Sequence, residues 1–236
     1  MRFKNALRIA AVAAAATAAA AFAASLPPGG GRPATSGYFS VQPDPRLCPA
    51  PTCGGFFVSM LNQARVSCPG RGRAEMCQVA SIDWSKLGLD PAATTELENA
   101  VLDGRGVVRG DLVAARGTGS PLGQLVVREG WLAASARRPR GGFFQVASNG
   151  VVCFTTPCFN LRKSLLNAKT QANVSGLDLA PAGATEAARN EAMQDVMTSS
   201  ILVSGRDRAV PAAGPAGKGV ELVATQFYLR VGGPPH

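Results

Sequence analysis

Short stretches of period-two alternation account for most of this chain, and two stretches of period near 3.6 interrupt them. Tyr38-Phe39-Ser40-Val41 alternates as a half-buried strand does, and Phe143-Phe144-Gln145-Val146 matches it. Further strands are expected over 56–61 and 161–166, and short ones end at Ile82-Asp83-Trp84 and Leu177-Asp178-Leu179. The first helical stretch opens on Asp90 as N-cap with Pro91 at the first helical position, buries Leu97, Ala100 and Val101, and stops at Gly104. The second is expected near 185–197, with Ala188, Ala192, Met193 and Val196 as its apolar stripe. Long hairpins follow each helix, over 107–133 (turn at 117–121) and over 201–231.

The same order of elements thus occurs twice, and residues 37–62 lie over 142–167 without a gap at an offset of 105. Eight of those 26 positions are identical: Gly37/Gly142, Phe39/Phe144, Val41/Val146, Cys48/Cys153, Cys53/Cys158, Ser59/Ser164, Leu61/Leu166 and Asn62/Asn167. Chance would give about two. The pattern predicts an α+β fold of two tandem, strand-rich units with one helix each, over 37–135 and 142–231. A basic linker, 136–141, separates them, and 232–236 is a short tail. Trp131 and Tyr228 occupy matching places on the last strands and are expected to anchor the core of each unit.

Residues 1–23 read as an export signal: Arg2, Lys4 and Arg8, an alanine-rich run, and Ala21-Phe22-Ala23 as a small-x-small cleavage site. A proline- and glycine-rich lead-in follows over 24–36. No later stretch is apolar enough for a membrane anchor, so the expected location is periplasmic or extracellular. Without Arg2, Lys4 and Arg8 the formal charge falls from +9 to +6, with the basic residues scattered except at Arg137, Arg138 and Arg140. That scatter, 6% aromatics and no recognition motif argue against nucleic acid as a partner.

An even six cysteines in an exported chain imply disulfides. If the units fold alike, the bonds are Cys48–Cys53 and Cys153–Cys158, which leaves Cys68–Cys77. Crossed pairing among the first four and a zinc site are the alternatives; export and the lack of histidines weigh against zinc. Cys68 and Cys77 bracket an insertion of about ten residues that the second unit lacks.

The only histidine is His236, which excludes Ser-His-Asp and Cys-His catalysis and histidine-based metal sites. No cofactor motif is present, so no cofactor is expected. The polar candidates are the matched pairs Asp83/Asp178 and Asn62/Asn167. Two carboxylates brought together across a twofold could serve as acid and base on a glycan; each could instead cap a local turn. Asparagine at a strand end satisfies nearby backbone or meets a ligand. Arg109-Gly110-Asp111 spells an adhesion tripeptide, but within a strand rather than at a loop tip.

The run Cys48-x4-Cys53-Gly54-Gly55-Phe56-Phe57-Val58, Asn62, Ile82-Asp83-Trp84 and Leu125-Val126-Val127-Arg128-Glu129-Gly130-Trp131 resembles a domain of unknown function found in exported bacterial proteins. The resemblance covers the first unit; in the second, Phe159-Asn160 stands in place of Gly54-Gly55. It implies export, disulfides and a strand-rich fold, and no activity. The leading expectation is a non-catalytic binding or structural module whose partner is an envelope polymer or another protein. The alternatives are a glycan hydrolase using Asp83 and Asp178, and an inhibitor presenting the Cys68–Cys77 loop.

Overall fold

In a computed structural model the described residues are 35–46, 54–114, 122–211, 214 and 217–232. The expected signal, residues 1–23, and Cys48–Cys53 lie outside them, as do the 117–121 turn, most of the lead-in and residues 233–236 of the tail. Thr35 and Ser36, assigned to the lead-in, open the first strand instead.

The first half comprises β1 (Thr35–Pro43), β2 (Phe56–Met60), β3 (Val66–Cys68), β4 (Gly72–Ala74), β5 (Cys77–Asp83), α1 (Pro91–Leu102), β6 (Gly106–Ala114) and β7 (Gly123–Ala133). Strands β6, β1, β2, β5 and β7 pair in that order, and β7 returns to β6, closing a five-stranded barrel. The second half comprises β8 (Gly142–Ser148), β9 (Leu161–Leu165), β10 (Gln171–Val174), β11 (Gly176–Asp178), α2 (Glu186–Thr198), β12 (Ile201–Val210) and β13 (Gly219–Arg230). Here β12, β8, β9 and β10 pair in sequence, β11 continues past Ser175 to pair in parallel with β13, and β13 returns to β12. The pairing order of the first half therefore recurs. The fold is mixed α+β, rich in strands, with two helices among the described residues.

Each half has its own core. Phe39, Val41, Val58, Val79, Val108, Leu125 and Val127 fill the first barrel with Leu97 and Val101 of α1. Val146, Val174, Ile201, Val203, Leu222 and Phe227 fill the second with Ala192 and Val196 of α2. Both helices start as their sequences dictate. Asp90 Oδ1 accepts from the N–H groups of Ala92 and Ala93, and Thr185 Oγ1 from Ala188. Met193, expected on the buried stripe of α2, points to solvent at 40% exposure. Met193 shares the outer side of α2 with Met197, while Ala192 and Val196, with Ala188, cover the second core.

The disulfides Cys68–Cys77 and Cys153–Cys158 are present, so the crossed pairings fail and the described cysteines offer no free thiolate for zinc. Cys68 and Cys77 are themselves buried, with Val66, in the first core. The insertion is a stapled two-stranded flap, β3–β4, seated on the barrel by Thr35 Oγ1 donating to Ser67 O.

A single ribbon joins the barrels. Strands β7 and β13 pair antiparallel, with Leu132 opposite Leu229, Trp131 opposite Arg230 and Ala133 opposite Tyr228. Matching residues of the two halves thus meet about one quasi-twofold point. Trp131 and Tyr228 do not anchor separate barrel cores; both lie in a third cluster with Leu61, Leu166, Val107 and Leu202 between the halves. The cause is a bulge in each hairpin. Arg109 pairs with Glu129 but Gly110 with Val127, leaving Arg128 without an opposite residue; Ser204 pairs with Gln226 but Gly205 with Ala224, leaving Thr225. One extra residue reverses the inside-outside phase of a strand. Leu125 and Val127 therefore face the barrel while Glu129 and Trp131 face out, and Leu222 and Ala224 face in while Gln226 and Tyr228 face out. Gly110 and Gly205 are required beside the bulges, since a Cβ there would stand 2.3 Å from Val126 O and 2.2 Å from Val223 O.

Candidate functional site

Asn62 and Asn167, the asparagines common to both halves, form a reciprocal clasp. Asn62 Nδ2 donates to Phe143 O (2.7 Å) and Leu166 O (3.1 Å), and Phe143 N–H donates to Asn62 Oδ1 (2.9 Å). Asn167 Nδ2 donates to Tyr38 O (2.8 Å) and Leu61 O (2.9 Å), and Tyr38 N–H donates to Asn167 Oδ1 (2.8 Å). Each amide thus pairs with the first strand of the opposite barrel as another strand would. Both residues sit in the left-handed region, at φ 58° and 60°, which asparagine tolerates better than other side chains. Gly37 leaves room for the clasp: a Cβ there would lie 2.4 Å from Asn167 Oδ1.

Asp83 and Asp178 are not brought together. Each closes a strand and accepts from the backbone two residues on, Asp83 from Ser85 N–H and Asp178 from Ala180 N–H. Hydrogen bonds from the Ser85 side chain and backbone hold the Asp83 carboxyl below its ordinary range. Asp83 stands beside Val126 and Asp178 beside Val223, on opposite sides of the Leu132–Leu229 pair. At about 3.3 Å per strand residue this separation is on the order of 30 Å, against roughly 10 Å or less for paired-carboxylate hydrolysis. The adhesion-like tripeptide is equally unsuited to recognition, because Asp111 is buried at 9% exposure in β6.

Asp111 instead secures β1. It accepts from Ser36 Oγ (2.6 Å) and Arg128 Nε (2.5 Å). Burial alone would raise its carboxyl, but these two donors hold it below the ordinary value of 3.8. A depressed acid contributes stability that is full above its unfolded pKa and lost as pH falls through the folded value. Asp111→Asn is therefore expected to lower stability at pH 7 by about 1–2 kcal/mol and to flatten its decline below pH 4. Urea titrations of both proteins at several pH values check this.

Beside the clasp, a cleft of about 630 Å³ opens between the halves. One wall carries Tyr38, Arg109, Glu129 and Arg230, and the other Gln145, Glu191, Asp195, Ser199 and Ser200. Glu129 Oε1 accepts from Arg109 Nη1 at 2.7 Å and pairs with Arg230 Nη2 at 3.4 Å. Arg109 lies over the Tyr38 ring at 5.8 Å, and Arg230 over Trp131 at 5.8 Å. Burial, then Glu129, pushes the Tyr38 phenol above its ordinary value. Among the described residues no cluster of three or more His, Cys, Asp or Glu side chains is placed to hold a metal ion.

At the corresponding place in the other half the linker crosses the joint, beside a cleft of about 560 Å³ lined by Arg105, Ala133, Arg137 and Tyr228. Gln226, where the first half has Glu129, is fully buried; its Nε2 donates to Ser135 O and Arg137 O, both at 2.8 Å. Ser204, where the first half has Arg109, donates with Thr225 to Arg140 O. The basic linker is thus a strap: its arginine side chains are exposed, but its backbone is held by Gln226, Ser204 and Thr225.

Sequence reasoning passed over this cleft. Glu129 has Gln226, not an acid, at the matching place, so no matched pair marks it, and that difference gives the two clefts different linings.

Residues 37–234 match a domain of unknown function, DUF6748, from the first strand of the first barrel to beyond the last strand of the second. The chain belongs to the DUF6748 family. The DUF6748 domain therefore takes in both barrels, and not the first alone, where the sequence resemblance had rested. Neither a curated protein nor a solved structure matches this DUF6748 chain.

Proposed function

We propose that the chain is an exported, bacterial, non-catalytic binding module, a divergent tandem duplication whose ligand site is the open cleft between its halves. The contrast between the two cleft positions carries this reading. Where Gln226 and Ser204 hold the strap by hydrogen bonds, Glu129 and Arg109 of the first half, joined by Arg230 of β13, line their cleft with charge. Two disulfides favour a location outside the cytoplasm, and among the described residues no helix is long and apolar enough to cross a membrane.

The lining selects the ligand class. Donors (Arg109, Arg230, Gln145, Ser199, Ser200) and acceptors (Glu129, Glu191, Asp195) surround one aromatic ring, Tyr38. Hydroxyl groups both donate and accept, so a polyhydroxylated envelope glycan satisfies such a mixture, while Glu191 and Asp195 repel a polyanion. Glu191 and Asp195 lie on one face of α2 and contribute nothing to its core, which makes them suitable to change.

The test is co-sedimentation with purified cell-wall sacculi. The unaltered chain should pellet with them, and the Glu191→Gln, Asp195→Asn double variant should bind roughly tenfold more weakly, as loss of charged hydrogen bonds predicts. A chain that stays in the supernatant, or a variant that binds equally, would refute the reading.

A further inference from the structure

The Cys153–Cys158 loop is at the far end of the β8–β9 hairpin from the clasp. Among the described residues it holds the two most exposed large apolar side chains, Phe154 at 100% and Val152 at 81%, with Val151 beside them at 51%. This exposure is built into the fold. The disulfide closes the loop, Asn149 N–H donates to Asn160 O, and Asn149 Nδ2 donates to Phe159 O. Val151 N–H in turn donates to Asn149 Oδ1. Behind the loop the β12–β13 turn abuts it, with no room for a Cβ at Gly214, which would stand 2.4 Å from Thr156 O. The loop is thus held outward with its apolar residues away from both cores.

Its surroundings are cationic. Residues 141–177 and 209–220, which include the loop, its hairpin and the abutting turn, contain no aspartate or glutamate. Arg162 at the root of the loop and Lys218 in the abutting turn are exposed. The nearest acids on the β12–β13 hairpin are already paired, Asp207 with Lys163 and Glu221 with Arg208.

We infer that this stapled tip docks on an anionic lipid bilayer, with Val152 and Phe154 entering the headgroup–acyl boundary and Arg162 and Lys218 facing the lipid phosphates. Two apolar side chains on a fixed loop supply shallow insertion, and adjacent cations without acids supply attraction to anionic headgroups. A protein pocket would also accept Phe154, but the acid-free rim favours a negatively charged sheet of phosphates over a groove. This goes beyond the cleft and stands or falls separately from it.

The test uses the whole chain carrying Phe154→Trp, with the unaltered chain to subtract Trp84 and Trp131. With vesicles of a zwitterionic lipid containing one anionic phospholipid, the added indole should shift to the blue and be quenched by bromines on the acyl chains. With zwitterionic vesicles alone, the shift should be much weaker. Phe154→Ser in the otherwise unaltered chain should lower vesicle partition roughly tenfold, about 1.4 kcal/mol. An indole spectrum unmoved by anionic vesicles overturns the inference, as does unchanged partition of Phe154→Ser. A blue shift of the free protein with no further change on vesicles also overturns it and points to a protein surface as the occupant.

Discussion

Replacing Asn167 with alanine is expected to destabilise the chain by about 3 kcal/mol, and replacing Asn62 by about 1–2 kcal/mol. Asn167→Ala removes three hydrogen bonds and leaves Tyr38 N–H, Tyr38 O and Leu61 O without their cross-barrel partner. It also puts alanine at φ 60°, where asparagine is tolerated and alanine is strained. The Asn62 variant loses the equivalent bonds, but Asn62 is exposed where Asn167 is half-buried, so water replaces more of what is lost. Glycine separates the two terms. Asn167→Gly relieves the backbone strain and should recover about 1 kcal/mol, leaving the clasp's own share. Urea unfolding of the three variants gives all of these values.

Trp131→Ala should be the most damaging single change, costing about 3–5 kcal/mol. Trp131 is 1% exposed and the largest side chain in the cluster between the halves, where it meets Leu202, Tyr228 and their neighbours. Its removal opens a cavity at the joint rather than inside either barrel. Trp131→Phe is expected to cost much less, under about 1.5 kcal/mol. The indole N–H is buried without an acceptor among the described residues, so phenylalanine removes an unsatisfied donor along with some volume. If the two substitutions cost the same in thermal or urea unfolding, the indole is not filling the joint as described.

Much of this fold could be read from the sequence because local rules and tertiary structure agree. The alternation at 38–41 and 143–146 gives strands, Asp90-Pro91 starts a helix, and the cysteine spacing gives both described disulfides. The repeated order of elements also survives as a repeated order of strand pairing. What could not be read is where phase changes within a strand. The bulges at Arg128 and Thr225 turn Glu129, Trp131, Gln226 and Tyr228 outward, and their one trace in the sequence is a glycine on each facing strand, Gly110 and Gly205. Period-two reasoning therefore assigned Trp131 and Tyr228 to the barrel interiors. The site was missed for a related reason. Matched positions attract attention, yet Asn62 and Asn167 match because each clasps the other half, and Asp83 and Asp178 because each closes the same turn. The charges of the cleft stand at unmatched positions, Glu129 against Gln226 and Arg109 against Ser204. The exposed tip was legible in principle, since Val151, Val152 and Phe154 are large apolar residues in a cysteine-closed loop with no helix or strand pattern to bury them.

The central claim is that two barrels are fastened into one cooperative unit by the ribbon, the shared aromatic cluster and the reciprocal asparagines. Amide hydrogen exchange of the whole chain, followed in both halves at once, tests it most directly. The core strands β1, β6 and β7 should reach the same limiting protection as β8, β12 and β13, and Asn167→Gly should lower both sets together. Different limiting protection in the two halves of the unaltered chain, or loss confined to one half in the variant, would contradict the claim.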